Sequence, residues 1–125
     1  MIIHQLRAEE GIEEVIFESG KLEATDFEDI SRDIAPYIKK NGRLNGMLFE
    51  TDKIPRFKNF AAMRSRLRFL RDHMKKINRV ALVTDSKTLS AMPKLANHFI
   101  APEFRSFDRA HRDEARRWLR EGQAA

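Results

Sequence analysis

The chain has 125 residues, 42% of them hydrophobic and 34% charged, with a net charge of +5 and no cysteine. That length points to one domain over residues 1–122 with a short tail at 123–125, enough to bury roughly two-thirds of its unfolded surface around one core. The composition excludes disulfides and cysteine-based zinc sites; no stretch approaches the roughly 20 apolar residues of a membrane-spanning helix, and MIIHQLRAEE lacks a basic region followed by an apolar run, so a cytoplasmic location is the expectation.

Ile2 to Leu6 and Val15 to Phe17 are short apolar-rich runs separated by the polar stretch Arg7 to Glu14 with Gly11, which predicts a hairpin of two strands. Thr25 followed by Glu28 matches a capping box and predicts a helix start there. Phe27, Ile30, Ile34, Tyr37 and Ile38 recur at helical spacing, Asn41-Gly42 supplies a left-handed stop, and Pro36 predicts a kink near Arg32 to Asp33 or a break into two pieces. Leu44 to Glu50 reads as a strand in which Gly46 marks close backbone approach. Asp52 to Lys58, with Pro55, reads as a loop. From Asn59 the stripe Phe60, Met63, Leu67, Leu70, Met74 and Ile77 predicts a long amphipathic helix.

Val80 to Val83 is a continuous apolar run suited to a strand buried on both faces. Leu89, Met92, Leu95, Ala96 and Phe99 form another helical stripe, interrupted by Pro93. Phe104 and Phe107 alternate with polar neighbours as in a half-exposed last strand. Asp108 is placed to cap a final helix that turns Ala115, Trp118 and Leu119 inward and ends at Gly122. The order β-β-α-β-α-β-α-β-α implies an α/β fold: about five strands in a mostly parallel sheet, an antiparallel N-terminal hairpin at one edge, and four helices.

Several of these pieces resemble, in this order, the SpoIIAA-like family: Gly20-Lys21-Leu22, the Thr25 helix with its internal Pro36, the Asn41-Gly42 stop, Arg79-Val80-Ala81-Leu82-Val83 with Asp85 behind it, Lys94-Leu95-Ala96, and Glu103-Phe104-Arg105-Ser106-Phe107 leading to Ala115 and Trp118-Leu119. The resemblance covers nearly the whole chain and implies a STAS-like fold, similar in shape to CRAL-TRIO lipid-carrier domains. In the anti-sigma-factor antagonists of that fold, a serine at the start of the helix after the third strand is phosphorylated. Here that turn reads Lys58-Asn59-Phe60-Ala61-Ala62-Met63, without a hydroxyl, and the nearest serine is Ser65 inside the helix. This departure from the pattern argues against a kinase-operated switch here.

In open α/β sheets the binding crevice lies beyond the carboxyl ends of the parallel strands, here Glu50-Thr51-Asp52 and Thr84-Asp85-Ser86. Asp52 and Asp85 have the chemistry for an acid–base or metal-binding pair, and the competing role for Asp85 or Ser86 is to cap the next helix. His4, His73, His98 and His111 fall in separate elements without an i, i+4 pair, which gives metal ligation no local support. No G-x-S-x-G, G-x-G-x-x-G or GK[ST] pattern occurs, so the expectation is a non-enzymatic protein without a cofactor.

Charge is concentrated: ten basic residues stand against one acid between Lys53 and Arg79, a balance of +9, and the rest of the chain carries −4. Such a segment attracts anionic partners or forms a solvated helix face. Helical projection puts Phe69 among the cations, away from the apolar stripe, and Ile54, Phe57 and Phe60 crowd the preceding loop and first turn. The candidate anionic surface or membrane patch is Arg64, Arg66, Arg68, Phe69, Arg71, Lys75 and Lys76. A candidate apolar pocket is formed by Ile54, Phe57, Phe60, Met63, Leu67, Leu89 and Met92. The competing reading makes Ile54, Phe57 and Phe60 ordinary core and Phe69 a stray exposed aromatic.

These features predict a binding domain for a small apolar or lipid-like ligand, with contact to the inner face of an anionic membrane. The alternative is a protein-interaction module of the antagonist type with an acidic partner. Nucleic acid is disfavoured because the aromatics are mostly Phe in the core pattern, and exposed apolar residues are compatible with a homodimer.

Overall fold

The computed structural model describes residues 2–17, 21–22, 24–51, 56–57, 68, 73–91 and 103–121. Two strands, β1 (Ile2–Arg7) and β2 (Ile12–Phe17), form the expected antiparallel hairpin, with register running from Ile2 opposite Phe17 to Arg7 opposite Ile12. Its turn closes through the Gly11 N–H, which donates to the Arg7 carbonyl at 2.9 Å. Gly11 sits at φ +70, and a Cβ there would lie 2.5 Å from Asn45 Nδ2 and 2.8 Å from the Tyr37 hydroxyl, so both conformation and space select glycine.

After β3 (Lys21–Leu22), helix α1 runs continuously from Ala24 to Asn41. Two expectations change here. The helix begins before Thr25, which places that residue in the first turn and not at the cap, and Pro36 lies inside one unbroken helix. Pro36 is exposed, as is Arg32, whose carbonyl the missing N–H would have satisfied. The helix ends as expected at Gly42, with φ +88 and its N–H donating to the Ile38 carbonyl at 2.7 Å.

Strand β4 (Leu44–Glu50) matches its expected bounds. The expected loop after it contains a short strand, β5 (Arg56–Phe57), which pairs in parallel with β3 as a separate two-stranded sheet. Of the long helix expected over Asn59 to Ile77, Arg68 and His73 are helical, Met74–Lys76 is a 3-10 turn, and Ile77 is already the first residue of β6 (Ile77–Val83); the remainder lies outside the described residues. Helix α2 (Lys87–Ser90) stands at the start of the third expected helix, whose residues from Met92 on lie outside the described ones, and β7 (Glu103–Phe107) is followed by a 3-10 turn at Arg109–His111 and helix α3 (Arg112–Glu121).

The main sheet has the order β1-β2-β4-β6-β7, mixed because only β1 is antiparallel to its neighbour. Of the four helices expected, two long ones, α1 and α3, are seen among the described residues. Side chains alternate across the strands and fill two cores. On the α1 face Val15, Met47 and Val80 meet Ile30, Ile34 and Ile38, and on the α3 face Ile12, Leu48, Ala81 and Val83 meet Ala115, Trp118 and Leu119. Gly46 faces α3 at the close approach expected of it: a Cβ there would come within 2.5 Å of Leu119 Cδ2.

Candidate functional site

The carboxyl ends of β6 and β7 open into a crevice of about 380 Å³ lined by Thr84, Asp85, Ser86, Lys87, Ser90, Ser106, Phe107 and Asp108. The sheet hydrogen bonds end here, where the Thr84 N–H donates to the Phe107 carbonyl at 2.9 Å and the Thr51 N–H to the Val83 carbonyl at 3.1 Å. The hydroxyls hold the turns together. Ser86 Oγ accepts from the Leu89 N–H at 3.3 Å and so caps α2, Ser86 N–H donates to Thr84 Oγ1 at 3.1 Å, and Ser106 Oγ donates to the Ser90 carbonyl at 2.8 Å.

The Asp85 carboxylate, one residue before that cap, accepts from the Arg109 N–H at 3.0 Å and binds the β6 end to the turn before α3. Asp108 stands at the N-cap of that turn with extended dihedrals, yet its carboxylate engages the His111 ring and makes no side-chain cap bond. This contact raises the His111 pKa above its ordinary value, through the hydrogen bond first and the charge of Asp108 second.

A second constellation lies on the α1 face of the sheet edge. His4 on β1, Glu13 on β2 and Asp33 on α1 bring their donor atoms within 4.8 Å of one another. His4 Nδ1 is 2.6 Å from Asp33 Oδ2 and 3.8 Å from Glu13 Oε2. The Glu13 side chain is fully buried, and neither of its oxygens accepts a conventional hydrogen bond. Burial pushes its carboxyl up to about 9, with Asp33 adding to the shift, so at neutral pH Glu13 carries a proton to share with the Asp33 carboxylate.

Sequence reading missed this site. Residues 7–14 read as a polar turn, whereas Glu13 and Glu14 belong to β2. The available signal was the pair of acids beside an apolar run.

Glu14 points to the opposite face, into a ladder from α3: Arg116 grips it with Nε at 2.8 Å and Nη2 at 3.0 Å, and Arg7 Nε lies 2.6 Å away. One turn to either side, Arg112 pairs with buried Glu50 and Arg120 with Glu10. This spacing of four places three guanidinium groups on one helix face opposite three glutamates.

Among the residues expected at a site, Leu89 is a buried residue of α2, and Arg68, Lys75 and Lys76 are exposed. Phe57 lies in β5. Ile54, Phe60, Met63, Arg64, Arg66, Leu67, Phe69, Arg71 and Met92 lie outside the described residues, as does Asp52 of the expected carboxylate pair. Among the described residues no helix is long and apolar enough to cross a membrane.

No curated protein matches the chain. Among solved structures it is similar to an uncharacterized protein from Shewanella loihica PV-4 with a SpoIIAA-like fold, at 21% identity and a TM-score of 0.65, over 86% of this chain and 81% of that one. At that identity the likeness speaks for the fold, which the mixed five-stranded sheet shares. The SpoIIAA-like family model matches residues 15–120, from the middle of β2 to the last turn of α3, and the chain therefore belongs to the SpoIIAA-like family.

Proposed function

We propose that this protein is a non-enzymatic binding module that takes a lipid-like ligand, an apolar body with an anionic head, and rests on anionic membrane through the segment Lys53 to Arg79. The observation that carries the reading is the concentration of ten basic residues against one acid in that segment, with Ile54, Phe57 and Phe60 at its head. Of the members whose side chains are described, Arg68, Lys75 and Lys76 are exposed, as cations that meet an anionic partner must be, whereas Arg79 is turned inward onto Trp118. Each basic side chain near such a surface contributes about 1 kcal/mol, and apolar groups beside it add insertion energy. Leu89, in α2, and Met92 complete the apolar pocket in this reading, together with Met63 and Leu67.

One observation favours a second reading, in which the same basic patch docks an acidic protein partner. The crevice at the ends of β6 and β7 is lined mainly by hydroxyls and charges, with Phe107 as its one apolar member. Native mass spectrometry of the purified protein separates the two: a co-purifying lipid or fatty acid supports the first, and a chain with nothing bound supports the second.

A further inference from the structure

We propose that His4, Glu13 and Asp33 form a binding site for one divalent transition-metal ion, with Zn²⁺ the best match. The three donors come from three elements, β1, β2 and α1, and converge within 4.8 Å. Ligand atoms around a tetrahedral zinc with bonds near 2.0 Å sit about 3.3 Å apart. The observed separations of 2.6 and 3.8 Å from His4 Nδ1 bracket that value, so small side-chain rotations suffice to seat an ion.

An independent observation points the same way. Glu13 is fully buried, and the group beside it is a second carboxyl, Asp33, with no N–H donor within hydrogen-bond reach of either Glu13 oxygen, so the pair tolerates burial only while a proton, or a cationic partner in its place, sits between them. An ion supplies that partner. It replaces the proton between His4 Nδ1 and Asp33 and the proton on Glu13, both released to solvent, and two carboxylates balance its charge.

The donor set also restricts which ion fits. One imidazole nitrogen with two carboxylates and no sulfur suits Zn²⁺ or Mn²⁺ better than Mg²⁺ or Ca²⁺, which prefer oxygen alone. The His4 and Asp33 side chains are 25% and 29% exposed, which provides an entry path and leaves a coordination position toward solvent. The ion ties the edge hairpin to α1, and the site is independent of the basic segment.

The test is calorimetric titration of the tag-free chain with ZnCl₂ and with MnCl₂, paired with thermal unfolding. The expected result is one Zn²⁺ per chain with a raised Tm. Glu13→Gln and Asp33→Asn, nearly isosteric and checked for folding by circular dichroism, each lose at least about tenfold in affinity, and His111→Ala changes nothing. If either variant fails to fold, His4→Gln gives the same reading. Absence of saturable binding by either ion, or binding undiminished in the variants, overturns the proposal.

Discussion

At the level of single residues, Gly46 shows how a missing side chain is a packing decision. Its place in β4 is a fully paired strand position, where glycine is otherwise a poor choice, and it is tolerated because Leu119 of α3 occupies the space a Cβ would need. Leu119 is completely buried and has nowhere to retreat. Gly46→Ala should therefore cost about 1–3 kcal/mol, measured by urea denaturation; an unchanged midpoint would mean that α3 moves away freely. Trp118, 8% exposed, packs on Phe107 with ring centroids 5.8 Å apart and lies under the Arg79 guanidinium at 4.8 Å. Trp118→Ala should cost about 3–5 kcal/mol, and a loss below about 1 kcal/mol would contradict this packing.

His111 and Asp108 provide a residue-scale test with a definite sign. Their contact favours the protonated imidazole, so its contribution is present below the ordinary His pKa and is lost as pH rises through the elevated value. A titration of the ring protons by NMR should find His111 above the ordinary range, and Asp108→Asn should bring it down. A His111 that titrates identically in both proteins would show that the pair does not exist in solution.

At the level of elements, α3 is held by apolar burial on one stripe and by three arginines on the next. The three pairs should differ in worth because they differ in burial. Glu14 is 9% exposed with Arg116 at 23%, whereas Glu10 and Arg120 are 26% and 46% exposed. Arg116→Met removes a two-pronged contact to a buried carboxylate, leaves Arg7 as its remaining partner, and should cost about 2 kcal/mol. Arg120→Met breaks a solvated pair and should cost less than about 1 kcal/mol. Denaturation curves showing the two variants equal, or in reverse order, would contradict a ladder graded by burial.

The same elements show what a sequence does and does not disclose. The run Val80 to Val83 announced its strand because both faces are buried, and Ala115, Trp118 and Leu119 announced theirs by helical spacing. Ile77 misled, since it lies three residues after Met74 and fits a helical stripe as well as the start of β6. Glu13 and Glu14 misled for a deeper reason. Acids in a strand interior are tolerated only with partners, and those partners lie far along the chain: Arg116 is 102 residues from Glu14, and Asp33 is 20 residues from Glu13. No local pattern reports such meetings. The Thr84-Asp85-Ser86 wall of the crevice was legible from the βαβ order, whereas its other described wall is Ser106 to Asp108 at the end of β7 and not the expected Glu50 and Thr51, and its hydrogen bonds, with Ser86 as the cap and Asp85 reaching Arg109, depend on how α3 docks.

At the level of the whole molecule, charge is divided between two tasks. The acids of β2, β4 and the hairpin turn are consumed internally by α3 and by the His4 cluster, while the cations of residues 53–79 far exceed the single acid among them. A chain whose net charge is +5 thus carries its surplus in one segment of its sequence. Whether this segment binds an anionic amphiphilic surface, as proposed, is decided by co-sedimentation with anionic and neutral vesicles at low and physiological salt. The expected result is that the protein pellets with anionic vesicles only, that salt weakens the association, and that replacing Arg64, Arg68 and Arg71 by Gln removes most of both the binding and its salt dependence. Absence of the parent protein from the anionic pellet at either salt would contradict it.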